Sequence, residues 1–112
     1  MAWAWFVKPE EHLMAVGVKY AKKGQFDRAI AKFDEAIDLN SQRPEFFADR
    51  GRVHIMNGQL NRAIADFDEA IRLNPSYLNA YVNRSSARRA AGDKPGADAD
   101  KARALELTPG KK

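Results

Sequence analysis

Residues 24–40, GQFDRAIAKFDEAIDLN, are followed 34 positions later by GQLNRAIADFDEAIRLN at residues 58–74. Thirteen of the 17 positions are identical, the exceptions being Phe26/Leu60, Asp27/Asn61, Lys32/Asp66 and Asp38/Arg72. A looser third copy, GDKPGADADKARALELT, fills residues 92–108 at the same offset of 34. Gly24, Gly58 and Gly92 are in register, as are Ala29, Ala63 and Ala97, then Ala36, Ala70 and Ala104, then Leu39, Leu73 and Leu107. A fixed period of this length signals stacked copies of one supersecondary unit, because a single copy cannot bury its own apolar face.

Each copy divides at its glycine into two helical segments. Downstream, Ala29, Ile30, Phe33, Ala36 and Ile37 recur at spacings of three and four, the signature of one apolar helix face. Upstream, Leu13, Val16, Gly17 and Tyr20 do the same, as do Phe47, Val53 and His54 in the second copy. The glycines permit the left-handed backbone that ends a helix. Asp27, Asn61 and Asp93 stand where caps of the following helices are expected, and Pro44 and Pro75 punctuate the links between copies. The spacing predicts helices over about 9–23, 26–39, 44–57, 60–73, 76–91 and 95–107. The chain is therefore read as all-α, with three antiparallel helix hairpins in units of about 10–43, 44–77 and 78–109, an aromatic arm over 1–9 and a basic tail over 110–112.

With 112 residues there is room for one domain and no second core. Zero cysteine removes disulfides and thiolate chemistry, and only two histidines remain for other metal or acid–base roles. A mean hydropathy of -0.57 with scattered charge excludes an apolar run of bilayer length. Met1–Val7 is apolar but lacks the basic start of a signal peptide, so the protein is expected in the cytoplasm. The net charge of +4 resides wholly beyond residue 77, where Arg84, Arg88, Arg89, Lys94, Lys101, Arg103, Lys111 and Lys112 face four acidic residues. That bias raises nucleic acid or an acidic partner as ligands, but without a nucleic-acid motif it reads as a solvated basic end.

The pattern resembles the tetratricopeptide repeat, W-x2-L-G-x2-Y, then A-x3-F, then P. Leu13, Val16, Gly17, Tyr20, Ala29 and Phe33 carry the match in the first unit, and Phe47, Arg50, Gly51, His54, Ala63, Phe67 and Pro75 in the second. The third keeps Tyr81, Ala97 and Pro109 but has Arg84, Ser85, Arg88 and Lys101 where Leu, Gly, Tyr and Phe would stand. The resemblance implies a short right-handed α-solenoid. Small residues at Gly17, Gly51 and the repeated alanines allow close helix approach, and the aromatics fill the space between hairpins. Asp98 and Lys101 replace the isoleucine and phenylalanine that would receive a fourth hairpin, so the third unit is expected to cap itself. The opposing reading, a piece of a longer array, stays open at this point.

The same resemblance implies a non-enzymatic scaffold that binds a peptide segment or partner protein in a concave groove lined by the first helices. The groove residues carried over are Met14, Val18, Asp49, Arg52, Asn79, Asn83, Ser86 and Arg89, with Glu11, Ala15, Lys22, Glu45, Ala48, Met56 and Val82 on the same faces. Some relatives grip a C-terminal carboxylate with Lys, Asn, Asn, Lys and Arg. Here Met14, Val18, Asp49, Asn79 and Asn83 stand at those places, so a chaperone-tail receptor is not expected. Asn79 and Asn83 offer amides to a peptide backbone, and Arg52 and Arg89 offer charge-assisted bonds to a carboxylate. No cofactor or metal is expected. His54 is read as packing in the tyrosine position, and the DFDEAI carboxylates recur with the repeat rather than as catalytic pairs. Arg50 and Arg84 are expected to reach those aspartates as ion pairs. A monomer is favoured, with two rivals kept: a self-assembling module docking through Trp3, Trp5 and Phe6, and a weak acidic-ligand or nucleic-acid binder using the basic third unit.

Overall fold

The computed structural model describes residues 7–110 and measures 50 × 31 × 21 Å. Its element order is α1 (Pro9–Lys22), α2 (Phe26–Leu39), α3 (Pro44–Met56), α4 (Leu60–Leu73), α5 (Leu78–Ala90) and α6 (Lys94–Leu107). Helices pair as α1/α2, α3/α4 and α5/α6, and α3 and α5 pack in turn onto the hairpin before them. This is an all-α solenoid of helical hairpins. No described helix is long and apolar enough to cross a membrane. Trp3, Trp5, Phe6, Lys111 and Lys112, and with them the expectations for the aromatic arm and the end of the basic tail, lie outside the described residues.

The turn inside each hairpin is built three times over. Gly24, Gly58 and Gly92 have φ of 76°, 75° and 90°. The next residue's N–H reaches back five positions, from Gln25 to the Tyr20 carbonyl at 2.9 Å, Gln59 to His54 at 2.8 Å and Asp93 to Arg88 at 2.8 Å. A residue with a Cβ would strain that backbone, which explains the periodic glycine. Between hairpins, the Asn40 and Asn74 side-chain carbonyls accept from the N–H of Gln42 and Ser76, each at 3.1 Å, which turns the chain into the next unit.

Two expectations about helix starts need correction. The residues before α2 and α4 are Gln25 and Gln59, whose side chains make no cap bond, and Asp27 and Asn61 lie inside the first turn. Only Asp93 caps, its carboxylate accepting from the Gly96 N–H at 2.9 Å. The glycine turn fixes the register, so the capping place is one residue after the glycine. Helix α5 begins at Leu78 rather than 76, because Pro75 and Ser76 form the turn and the Tyr81 hydroxyl donates to the Pro75 carbonyl at 2.8 Å.

Packing follows the small-residue positions. Ala29, Ala63 and Ala97 are fully buried, and Phe33 and Phe67 are the largest fully buried side chains. A Cβ placed on Gly17 would lie 2.4 Å from the Phe33 ring, and one on Gly51 2.7 Å from Phe67. Glycine at these sites is what admits the ring. In the third hairpin the ring is gone and Ser85 takes the glycine place, its hydroxyl donating to the Ala97 carbonyl at 2.8 Å.

Candidate peptide-binding groove

Arginines fix the helices that carry the groove. Arg50 on α3 donates to both Asp66 oxygens on α4 at 2.9 and 2.8 Å, and to Asp34 on α2 at 2.8 Å. Thirty-four residues on, Arg84 on α5 repeats the arrangement with Asp100 at 3.0 and 2.7 Å and Asp68 at 2.8 Å. Burial alone would lower the pKa of Arg50, but the Asp66 and Asp34 carboxylates outweigh it and the net direction is upward. The hydrogen bond to Asp100 leads the upward shift of Arg84. Both guanidiniums are thus fixed cations, each tying three helices together. The pairs with Asp34 and Asp68 follow the sequence expectation. Asp66 and Asp100 were missed, since they lie on buried positions that the apolar pattern does not mark.

His54 is buried, with Nδ1 2.9 Å from the Gln59 side-chain oxygen and Nε2 3.7 Å from Asp66. It packs as expected of the tyrosine position. Among the described residues no three His, Asp or Glu side chains are gathered as a metal site would need.

On the side formed by the first helices lies an open cavity of about 510 Å³. Val18, Ala21 and Lys22 of α1 form one wall, Asp49, Arg52, Val53, Ile55 and Met56 of α3 the middle, and Asn83 and Ser86 of α5 the far rim, with the Phe33 ring beneath. The interior is aliphatic and the mouth is polar. Arg52 donates to Asp49 at 2.7 Å, and Met56 is 54% exposed. Burial raises the pKa of Asp49; Arg52 opposes that rise and Glu45 adds to it. Tyr77 is also raised, first by burial and then by Asp49 and Glu45, so the α3 start of the groove carries a negative field. Lys22, at the other end, makes none of the ion pairs among the described residues.

Of the eight residues expected in the groove, Val18, Asp49, Arg52, Asn83 and Ser86 line this cavity together. Met14 does not: it is 6% exposed and belongs to the core cluster with Phe33 and Ala48. Asn79 is exposed but lies outside the cavity. Arg89 is turned away to the outer face of the third hairpin, 3.5 Å from Asp98, where with Val82, Lys101 and Leu105 it lines a second cavity of about 410 Å³. Ala21 and Ile55 were not anticipated. They are the counterparts of Arg89 at the 34-residue spacing, so the repeat register marks the position even though its face was misjudged.

The sequence profile of the tetratricopeptide repeat matches residues 15–77 and again 48–111. The chain belongs to the tetratricopeptide repeat family. Among solved tetratricopeptide structures, the first such domain of human RPAP3 is 31% identical, with a TM-score of 0.87 over 91% of this chain and 80% of that one. The first domain of Spaghetti (RPAP3), seen bound to the HSP90 peptide SRMEEVD, is also 31% identical, with a TM-score of 0.87 over 91% of this chain and 81% of that one. The domain of Arabidopsis OM64 is 26% identical, with a TM-score of 0.87 over 90% of this chain and 84% of that one. No curated protein matches the chain in sequence closely enough to count as a relative. The family and its peptide-bound members make this fold a protein-interaction module.

Proposed function

We propose that this tetratricopeptide protein is a non-enzymatic adaptor that holds an extended segment of a partner protein in the groove between α1, α3 and α5. The observation that carries the reading is the open aliphatic cavity whose mouth bears Asp49, Arg52, Asn83 and Ser86. An apolar interior with a few convergent polar groups is the general form of a ligand site, and the rim amides and hydroxyl suit a peptide backbone.

The HSP90 peptide SRMEEVD held by the RPAP3 domain carries three acidic residues among its last four. A ligand anchored by its terminal carboxylate does not suit this groove, where Asp49 presents a like charge and Met14 is buried. Nucleic acid is also disfavoured. Arg84, Arg88, Arg89, Lys94 and Arg103 of the basic third unit are already held in ion pairs with Asp68, Asp100, Asp98 and Glu106, so these five side chains are not free to track a phosphate backbone.

Site-specific photo-crosslinking in the native source tests the reading. A photoreactive residue at Met56 should capture a defined partner, and one at Arg72 on the second helix of the same hairpin should not. Equal capture from both positions would move the interaction off the groove.

A further inference from the structure

Within the groove, the cavity is asymmetric in a way that specifies its ligand. Phe33, Val18, Ala21, Val53 and Ile55 supply its apolar lining, and the Asp49–Arg52 pair at 2.7 Å stands at its mouth. That pair is internally neutral. Lys22 is the one cation on this rim without a carboxylate partner among the described residues, and it stands on the α1 side next to Ala21. Arg52, 54% exposed at its side chain, keeps part of its guanidinium open to solvent. The free positive charge therefore sits at the α1 side of the apolar hole, opposite the Asp49 and Glu45 carboxylates of α3. An empty aliphatic hole is favourable to fill with a side chain of matching size, and a nearby unpaired ammonium attracts a carboxylate.

We propose, building on the groove reading, that the cavity is an anchor site for one large apolar side chain of an internal partner segment, with an Asp or Glu a few residues away seated against Lys22, away from Asp49. The ligand class is thus an acidic–hydrophobic stretch inside a chain, not a free C-terminus. Asn83 and Ser86 on the opposite rim meet the backbone of that stretch and do not discriminate sequence.

The test uses the full chain and random 12-residue peptides displayed within a loop of a carrier protein, so that neither peptide terminus is free. Selected sequences are then made with both ends capped and measured by fluorescence polarisation. The expected consensus is Leu, Ile, Met or Phe with an acidic residue within three positions. Met56→Glu and Ala21→Glu should each weaken binding about tenfold or more. Lys22→Glu should weaken it about fivefold and reverse the preference toward peptides whose acid is replaced by Lys. Helix content by circular dichroism should be unchanged in Met56→Glu and Lys22→Glu, since both side chains are exposed. Binders that lack an apolar anchor, or that tolerate Met56→Glu and Lys22→Glu while failing in Asn79→Arg, would overturn the anchor site and leave the groove standing. Failure to select any binder, or binders indifferent to all four variants, would overturn the anchor and the groove together.

Discussion

Helices α4 and α6 are equally long and occupy the same place in successive hairpins, yet they bury different chemistry. α4 buries Ala63, Asp66, Phe67 and Ala70, whereas α6 buries Ala97, Asp100 and Ala104 and shows Asp98 and Lys101 to solvent. Alanine and aspartate belong to the hairpin itself, so they persist. Phe67 is fully buried, its ring seated on Gly51 of its own hairpin, and where Ser85 replaces that glycine the ring's place is taken by an exposed cation. The same split appears on the first helices: Met14 and Ala48 are 6% and 3% exposed, but their counterpart Val82 is 47% exposed. Residue identity at one repeat position therefore reports the neighbour rather than the helix.

The sharpest way to break this comparison is to truncate both members. Phe67→Ala should lower stability by about 3–5 kcal/mol, since a fully buried ring leaves a cavity, while Lys101→Ala should stay within about 0.5 kcal/mol. Urea unfolding of the two variants measures the difference, and equal midpoints would refute the contrast between a buried ring and a solvated cation at this repeat position.

A smaller effect tests what the helices share. Asp100 is 4% exposed at its side chain and accepts from both Arg84 and Arg88. Asp100→Ala takes the shared buried carboxylate from two guanidiniums, of which Arg84 keeps Asp68 and both retain some water contact, so the expected loss is about 2–3 kcal/mol. Thermal unfolding should show it, and a loss no larger than that of Lys101→Ala would mean the arginine pairs are ornamental to the fold.

The subtlest contrast lies at the helix starts. Asp93 caps α6 and the equivalent Gln25 does not cap α2. Asp93→Ala should cost about 1 kcal/mol, and Gln25→Asp should stabilise by up to about the same amount. Paired melting curves of the two variants should move in opposite directions.

How far these features could be read from sequence depends on whether their cause is local. The 34-residue period, the glycine turns and the six helices are local, and the structure has all of them within two residues of the expected bounds. The caps at Asp27 and Asn61 failed because the capping place is set by the preceding glycine turn, not by the nearest suitable side chain. Val18, Asp49, Arg52, Asn83 and Ser86 were reachable because the repeat register places them on one side. Met14 and Arg89 were not, since Met14 is drawn into the core and Arg89 turns to Asp98 of its own hairpin.

Arg50 and Arg84 each clasp the helix before and the helix after their own, 34 residues apart and through the same pattern of bonds. Such struts set the angle at which neighbouring hairpins meet, so under the proposed adaptor reading the groove is a mould cast before any ligand arrives. The ordering entropy of association then falls on the partner segment alone. Of two segments with the same sequence, the one already held extended by its own protein will bind more tightly, and its advantage will grow with temperature.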